Sequence, residues 1–196
     1  MVFFYARIFL IYDKILFERG ITMDYRIKEV EKDDLYNYLN VNTIAWNESY
    51  KGIIPDWFLN KIKLEINKNV KMLEDKFDKE KIEEPYNKKY LLYINNEPGG
   101  MFSIDKSRIE DYPNSGELCS IYLLNKYKGK GYGTKMFEKA VEELRKMKFK
   151  NMVIGCLKDN PSNKFYIKKG GNLVKTRIIN IADEDLEENI YYFKKI

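Results

Sequence analysis

Glycines at 129, 131 and 133 stand between an apolar run and a segment whose apolar residues recur at helical spacing. The stretch reads Ile121-Tyr-Leu-Leu-Asn-Lys-Tyr-Lys-Gly-Lys-Gly-Tyr-Gly-Thr134, a strand that enters a glycine-rich turn and leaves as a helix. The first N–H groups of a helix lack intrahelical acceptors, and the helix dipole adds partial positive charge at that end. Such a turn is a seat for an anion, usually phosphate, and it calls for a nucleotide-bearing ligand. It also constrains the fold, because a strand end and a helix start must meet side by side.

Two nucleotide motifs fail on residues. A Walker loop, G-x-x-x-x-G-K-[ST], started at Gly129 meets Thr134 where its second glycine belongs. A G-x-G-x-x-G fingerprint started at Gly131 ends on Met136.

The rest of the chain reads as a mixed α/β order. Tyr25–Val30 alternates like a half-buried strand, and Asp33 or Asp34 can cap a helix carrying Leu35, Tyr38, Leu39, Ala45 and Trp46. Gly52-Ile-Ile-Pro55 breaks it, and Asp56 opens one further helix with Phe58, Ile62, Ile66, Val70, Leu73 and Phe77 on a face. Tyr90–Ile94 and Gly100–Asp105 read as a hairpin, and Glu117–Leu124 as the strand before the glycine turn. Met136, Phe137, Ala140, Val141, Leu144 and Met147 stripe the next helix. Asn151–Leu157 is a strand, and Pro161–Lys169 a short helix stopped by Gly170-Gly171. Leu173–Ile181 and Asn189–Lys195 are final strands flanking an acidic turn at Asp183-Glu-Asp185.

Two segments carry a family resemblance. Lys128-Gly-Lys-Gly131-Tyr-Gly133 resembles the [QR]-x-x-G-x-[GA] signature of the GCN5-related N-acetyltransferase (GNAT) superfamily, with Lys128 where the family has Gln or Arg. About thirty residues on, Asn160, Pro161, Ser162, Phe165 and Tyr166 match the family's N-P-[AS]-x-x-F-Y segment. Ala45–Pro55 is similar to the first-helix region of many bacterial members. The resemblance covers Met23 to Ile196. It implies an α/β (α+β) fold with a mixed, mostly antiparallel central sheet of six to seven strands. Helices cover both faces, and the fourth and fifth strands splay to admit CoA.

The resemblance also implies acetyl-CoA as donor and no metal. The pantetheine arm would follow Ile121, Tyr122 and Leu123. The pyrophosphate would sit on the amides of Lys128, Gly129, Lys130, Gly131, Tyr132, Gly133 and Thr134. Lys130, Lys135 and Lys164 could meet the 3′-phosphate or form a plain solvated face. Asn160, Ser162, Phe165 and Tyr166 would line the cofactor arm, although Asn160 also suits a helix N-cap before Pro161.

Acetyl transfer to an amine of solution pKa about 10 needs a proton removed, an oxyanion stabilised and a thiolate protonated. The chain has no histidine, so these tasks fall to carboxylates, tyrosines, water and backbone. The family implies Tyr166 as general acid, the alternative being a core aromatic pair with Phe165. It implies the Leu123 N–H as oxyanion donor. Glu117 lies fourteen residues before Gly131, the offset of the catalytic glutamate in the histone-acetylating branch, and is the candidate base; water or another carboxylate is the alternative. Trp46, Tyr50 and Trp57 are acceptor-site candidates by analogy, against ordinary packing; with Glu48, Glu110 and Asp111 they would suit a cationic amine. The expected partner is thus a small-molecule or peptide amine. A non-catalytic acyl-CoA-binding or regulatory module on the same fold is the rival reading.

Composition narrows the classes further. Hydrophobic residues make up 44% and charged residues 33% of 196 residues, which suits one globular domain. A net charge of +5 without a nucleic-acid motif needs no polyanionic partner beyond a CoA-sized anion. No apolar run approaches the roughly 20 residues of a membrane span. Cys119 and Cys156, without a CxxC, read as reduced, buried thiols rather than a zinc site or disulfide. The expectation is a cytoplasmic monomer or homodimer without nucleic-acid or membrane partners.

Residues 1–22 lack a signal-peptide pattern. Glu18-Arg19-Gly20 could be encoded by a purine-rich ribosome-binding sequence ahead of the Met23 codon. Residues 1–22 are then a translated leader, and 23–196 the single domain. Intact mass of the protein from its native host should give a chain beginning at Met23; a chain beginning at Met1 refutes this reading.

Overall fold

The computed structural model of the protein describes residues 24–196, so the expected leader, residues 1–22, lies outside the described residues. Strands β1 (Tyr25–Glu29), β2 (Lys88–Ile94), β3 (Glu97–Lys106), β4 (Gly116–Leu123), β5 (Met152–Leu157), β6 (Asn172–Ile181) and β7 (Glu184–Phe193) form one sheet. Its order is β1-β2-β3-β4-β5-β7-β6, with β4 and β5 the parallel pair in an otherwise antiparallel array. The helices are α1 (Leu35–Tyr50), α2 (Asp56–Leu64), α3 (Ile66–Glu83), α4 (Tyr132–Lys146) and α5 (Asn163–Lys168). They cover both faces of the sheet, as expected.

Alternation along β3 assigns the faces. Gly100 abuts the Met136 sulfur of α4. Its neighbour Met101 pairs with Tyr122, whose ring meets Trp46 and Tyr50 of α1. Successive strand residues point to opposite faces, so α1 and α4 sandwich the centre of the sheet. Fully buried Leu91, Leu92, Phe102, Ile104, Met136, Leu144 and Met152 fill the main core.

Three local expectations need correction. The single helix expected from Asp56 through Phe77 is two helices, separated at Glu65 (φ −90°, ψ 9°). The reason is burial: Phe58, Leu59 and Ile62 pack with Trp46, Tyr50 and Leu157, whereas Ile66, Val70, Leu73 and Phe77 pack on the main core. One straight axis cannot point at both clusters. The acidic turn is also displaced. Ala182 and Asp183 (φ 57° and 63°) make the hairpin turn, and Glu184, Asp185, Glu187 and Glu188 belong to β7. Cross-strand partners offset the weak strand preference of these acids. Asn180 donates to Asp185 at 2.9 Å, Arg177 to Glu188 at 2.7 Å, and Lys158 to Glu187 at 2.6 Å.

The third concerns Asp34, which does not cap α1. Its carboxylate turns back to accept from the Glu31 N–H at 3.0 Å and the Tyr93 hydroxyl at 3.1 Å, with Lys28 Nζ at 2.8 Å. Burial alone would raise this carboxyl; Lys28, the Glu31 amide and Tyr93 outweigh it and lower its pKa. The cluster ties β1 and β2 to the start of α1. A carboxyl whose folded pKa is depressed stabilises the fold above its unfolded pKa of about 3.9, and that contribution fades as pH falls through the folded value. Asp34→Asn should therefore lower unfolding free energy at pH 7 by on the order of 1–3 kcal/mol, judged by urea denaturation. The difference from wild type should shrink below pH 4 or so.

Candidate active site

Pairing between β4 and β5 is confined to Gly116↔Met152 and Glu117↔Val153. On its other side β4 stays paired with β3 up to Leu123, but the register steps from Ile104↔Leu118 to Ser103↔Ser120 and leaves Cys119 as an extra residue. A bulge of this kind bends its strand and strengthens the local twist. Beyond Glu117 the bulged strand therefore leaves β5, and its backbone edge faces open space. That space is a cleft of about 360 Å³. Its walls are Leu118–Leu123 on β4, Ile154–Cys156 on β5, Ser49 and Tyr50 at the end of α1, the glycine turn, and Asn160, Ser162, Phe165 and Tyr166.

Lys128, Gly129, Gly131, Gly133 and Thr134 carry the turn along the cleft. Gly129 and Gly131 have φ of +78° and +85°, a region a Cβ makes costly, and Gly131 is the N-cap of α4. The first long intrahelical bond runs from the Lys135 N–H to the Gly131 carbonyl. The glycine amides that precede it thus stand in the N-terminal donor row, whereas the Lys128 N–H, expected to belong to it, donates instead to the Asn125 carbonyl at 3.1 Å. Glu48 on α1 accepts from the Asn125 N–H at 2.8 Å and anchors the approach to the turn. Two side chains expected at the cofactor do not line the cleft. Tyr132 is buried against Tyr25 and Tyr127, so its amide alone belongs to the donor row; Lys130 is exposed.

Opposite the turn, Asn160 Oδ1 accepts from the Ser162 N–H at 2.8 Å. The adjacent Asn163, which sequence reading passed over as a variable position, holds this loop. Its Nδ2 donates to the carbonyls of Leu157 (2.8 Å), Lys158 (3.0 Å) and Asn160 (2.6 Å). Its Oδ1 accepts from Tyr191 Oη at 2.8 Å and Asn189 Nδ2 at 3.2 Å. No periodicity or motif position signals that role, because its partners come from β5 and β7. Phe165 packs on Phe137 of α4, and Tyr166 on Phe165 and Tyr191. The Tyr166 hydroxyl makes no hydrogen bond among the described residues. Burial raises its pKa far above the ordinary phenol value, with Cys156, Tyr50 and Tyr191 adding to the rise, so it stays protonated.

Tyr50 and Tyr122 meet across the cleft, hydroxyl to hydroxyl, at 3.0 Å. Burial raises both; for Tyr50 hydrogen bonds to Tyr122 and Asn160 work in the opposite direction. Burial pushes Cys119 and Cys156 up to about 12 each, so neither thiol is ionised near neutrality. Trp46 packs behind Tyr50 and Tyr122 without reaching the cleft, and Trp57 lies 53% exposed against Phe58. Of the three acceptor candidates only Tyr50 is at the cleft.

Glu117 is the main correction. It sits where β4 and β5 are still paired and does not line the cleft. Oε1 accepts from Arg108 Nη2 at 2.7 Å, and Oε2 from the Arg108 backbone N–H at 2.8 Å and Nε at 3.4 Å. Both oxygens are committed, and the Arg108 guanidinium is raised well above its usual range. The offset from Gly131 matched a distance along the chain; the β3–β4 loop supplies an arginine that removes the carboxylate from the site.

A sequence model described as the acetyltransferase (GNAT) family matches residues 41–171. The chain belongs to that family. Among curated protein sequences none is a significant match. Solved structures agree on the fold. PaiA N-acetyltransferase from Thermoplasma acidophilum, in complex with coenzyme A, is 16% identical with TM-score 0.65, covering 89% of this chain and all 100% of that one. An N-acetyltransferase from Staphylococcus aureus Mu50 is 18% identical with TM-score 0.63, covering 87% and 98%. The ribosomal-protein-S18-alanine N-acetyltransferase from Escherichia coli is 15% identical with TM-score 0.59, covering 87% and 93%. Among the described residues no helix is long and apolar enough to cross a membrane.

Asn163→Ala should strip the Lys158 carbonyl and the Tyr191 and Asn189 donors of this partner, while the Leu157 and Asn160 carbonyls keep their bonds from the Asn160 and Asn163 backbone N–H groups. A loss of about 2–4 kcal/mol is expected by denaturant unfolding, with weakened acetyl-CoA binding measured by calorimetry.

Proposed function

We propose that the protein transfers the acetyl group of acetyl-CoA to a primary amine of a small molecule or peptide, by direct attack within a ternary complex. The observation that carries this is the joining of three features on one cleft. They are the open β4 edge, the α4 N-terminal turn and a protonated, uncommitted Tyr166. In this reading the pyrophosphate rests on the amides from Gly129 to Thr134, with the dipole of α4 behind them. The pantetheine arm pairs with backbone groups of Ile121, Tyr122 and Leu123, replacing the ladder β5 no longer provides. Asn160, Ser162 and Phe165 close the other side.

The acetyl carbonyl then lies at the fork where β4 and β5 separate. The Leu123 N–H donates to its oxygen as negative charge develops. Amine nitrogen bonds to the carbonyl carbon, the C–S bond breaks, and the thiolate takes a proton from Tyr166 Oη. Burial makes this phenol a weak acid, but a thiolate in the same dry cleft is destabilised by the same desolvation and becomes a correspondingly strong base. Direct attack is favoured over an acyl-cysteine relay, since Cys119 and Cys156 are held near 12 and remain thiols.

Acetyl-CoA incubated with the protein and a panel of primary amines should show acceptor-dependent release of free thiol. Acetyl-CoA binding without such release would favour a binding module. Tyr166→Phe should lower kcat by about 10–100-fold while the dissociation constant for acetyl-CoA stays within about twofold of wild type. An unchanged kcat removes the acid role.

A further inference from the structure

The correction at Glu117 leaves the acceptor's proton without a recipient, and a different carboxylate, that of Glu188, lies against the cleft-lining Gly155 without itself lining the cleft. Glu188 on β7 pairs with Leu157 of β5 and with Arg177 of β6. Directly paired residues share a face, and Leu157 packs with Tyr50, Ile54 and Leu59, so Glu188 is on the α1–α2 face. A Cβ added at Gly155 would lie 2.8 Å from Glu188 Cδ and closer still to Oε1. Gly155 itself lines the cleft. The missing side chain at 155 is therefore what lets the Glu188 carboxylate lie over the strand edge at the fork.

The two carboxylate oxygens are not equivalent. Oε2 accepts from Arg177 Nε at 2.7 Å, whereas Oε1 makes no hydrogen bond or ion pair among the described residues. The Glu188 side chain is 15% exposed and Arg177 39%, so the carboxylate is mostly withdrawn from water with half of its bonding capacity unused. Its charge is felt inside the cleft. Burial first and Glu188 second push the Cys156 thiol up to about 12, and Glu188 is also among the groups that raise Tyr50. The surrounding surface is divided. Tyr50, Ile54 and Leu59 cover one end of this sheet face with Leu157, and Ile109 and Tyr112 of the β3–β4 loop cover the other with Val153 and Ile190. Gly155, Glu188 and Arg177 lie between these plugs.

We propose that Glu188 is the acceptor-side catalytic carboxylate: its Oε1 receives the ammonium of a cationic primary amine and takes from it the proton whose loss frees the nitrogen lone pair for attack on the thioester. This rests on the acetyltransferase reading above and assigns its base and acceptor charge. The balance is complete. One ammonium proton passes to Glu188 and on to solvent before attack, the N–C bond forms, and the C–S bond breaks. Tyr166 protonates sulfur, and the second N–H proton, acidic once nitrogen has bonded to carbon, restores the Tyr166 phenol. Arg177 is a positioning residue, fixing Oε2 so that Oε1 faces Gly155. Groups on the same face around the carboxylate are Arg177 from β6, Tyr50 from α1 and, two residues back along β6, Lys175, which is ion-paired with Asp111 of the β3–β4 loop at 2.7 Å. A plain cross-strand ion pair would affect stability alone.

The test uses the full chain with acetyl-CoA and, as probes, putrescine, spermidine, glycinamide and the tripeptide Ala-Ala-Ala, all carrying ammonium groups, beside hydroxylamine, which is neutral at pH 7.5. Glu188→Gln should lower kcat/KM for the amines used by wild type by about 100-fold, leaving hydroxylamine turnover within about threefold. Glu188→Asp should recover roughly tenfold of the loss. Calorimetry with acetyl-CoA confirms a folded protein. Should Glu188→Gln alone not fold, Arg177→Gln/Glu188→Gln, which keeps a neutral hydrogen-bonding pair, should show the same selective loss. A Gln variant that keeps the wild-type amine rate overturns the assignment, as does equal loss toward hydroxylamine. Wild type releasing no thiol with any probe while binding acetyl-CoA overturns the acetyltransferase reading itself, and the role of Glu188 with it.

Discussion

One extra residue in β4 governs the architecture of the site. Cys119 has no partner in the β3–β4 ladder, and past it β4 follows β3 instead of β5. A regular parallel pair would have continued the Gly116↔Met152 register to Ile121 opposite Leu157 and spent the free β4 edge from Leu118 to Ile121 on β5. The bulge instead opens the sheet at its centre, where both neighbouring strands are clamped: β4 by β3, and β5 by six register pairs with β7. The opening is therefore rigid. The glycine turn, the Asn160 loop and the end of α1 each gain their place by bordering it.

The cleft is electrically quiet. Tyr50, Tyr122, Tyr166, Cys119 and Cys156 all have their pKa raised, with burial the first cause in each case. Every one is thereby kept neutral near pH 7. In such surroundings a fixed N–H or a single carboxylate acts over a low effective dielectric, and its influence on a developing charge is larger than in water. Two glutamates flank this region with opposite outcomes. Glu117 is satisfied on both oxygens by Arg108, whereas Glu188 is satisfied on one by Arg177. The difference is set by which loop or strand brings the arginine.

Much of the donor side could be read along the chain. The glycines of the turn have a local reason, the positive φ at Gly129 and Gly131, and local reasons leave local signals. The same holds for Asn160, whose side chain bonds two residues ahead, and for the apolar stripe of α4. Reading failed where a residue's role depends on distant partners. The single long helix became α2 and α3 because its two halves face different clusters, and the acids of β7 were taken for a turn because their partners on β6 and β5 were out of view.

The sequence by itself determined that a strand, a glycine turn and a helix stand in succession, and that a second motif segment carrying Tyr166 follows them. These follow from spacing, glycine stereochemistry and helix-end electrostatics, which act within a few residues. Only the tertiary structure decided the surroundings of the fork: Glu117 withdrawn by Arg108, Asn163 pinning the loop, and Glu188 beside a strand residue with no side chain. Those outcomes depend on contacts between elements far apart in the chain, and on an ion pair's geometry, which residue types alone do not specify.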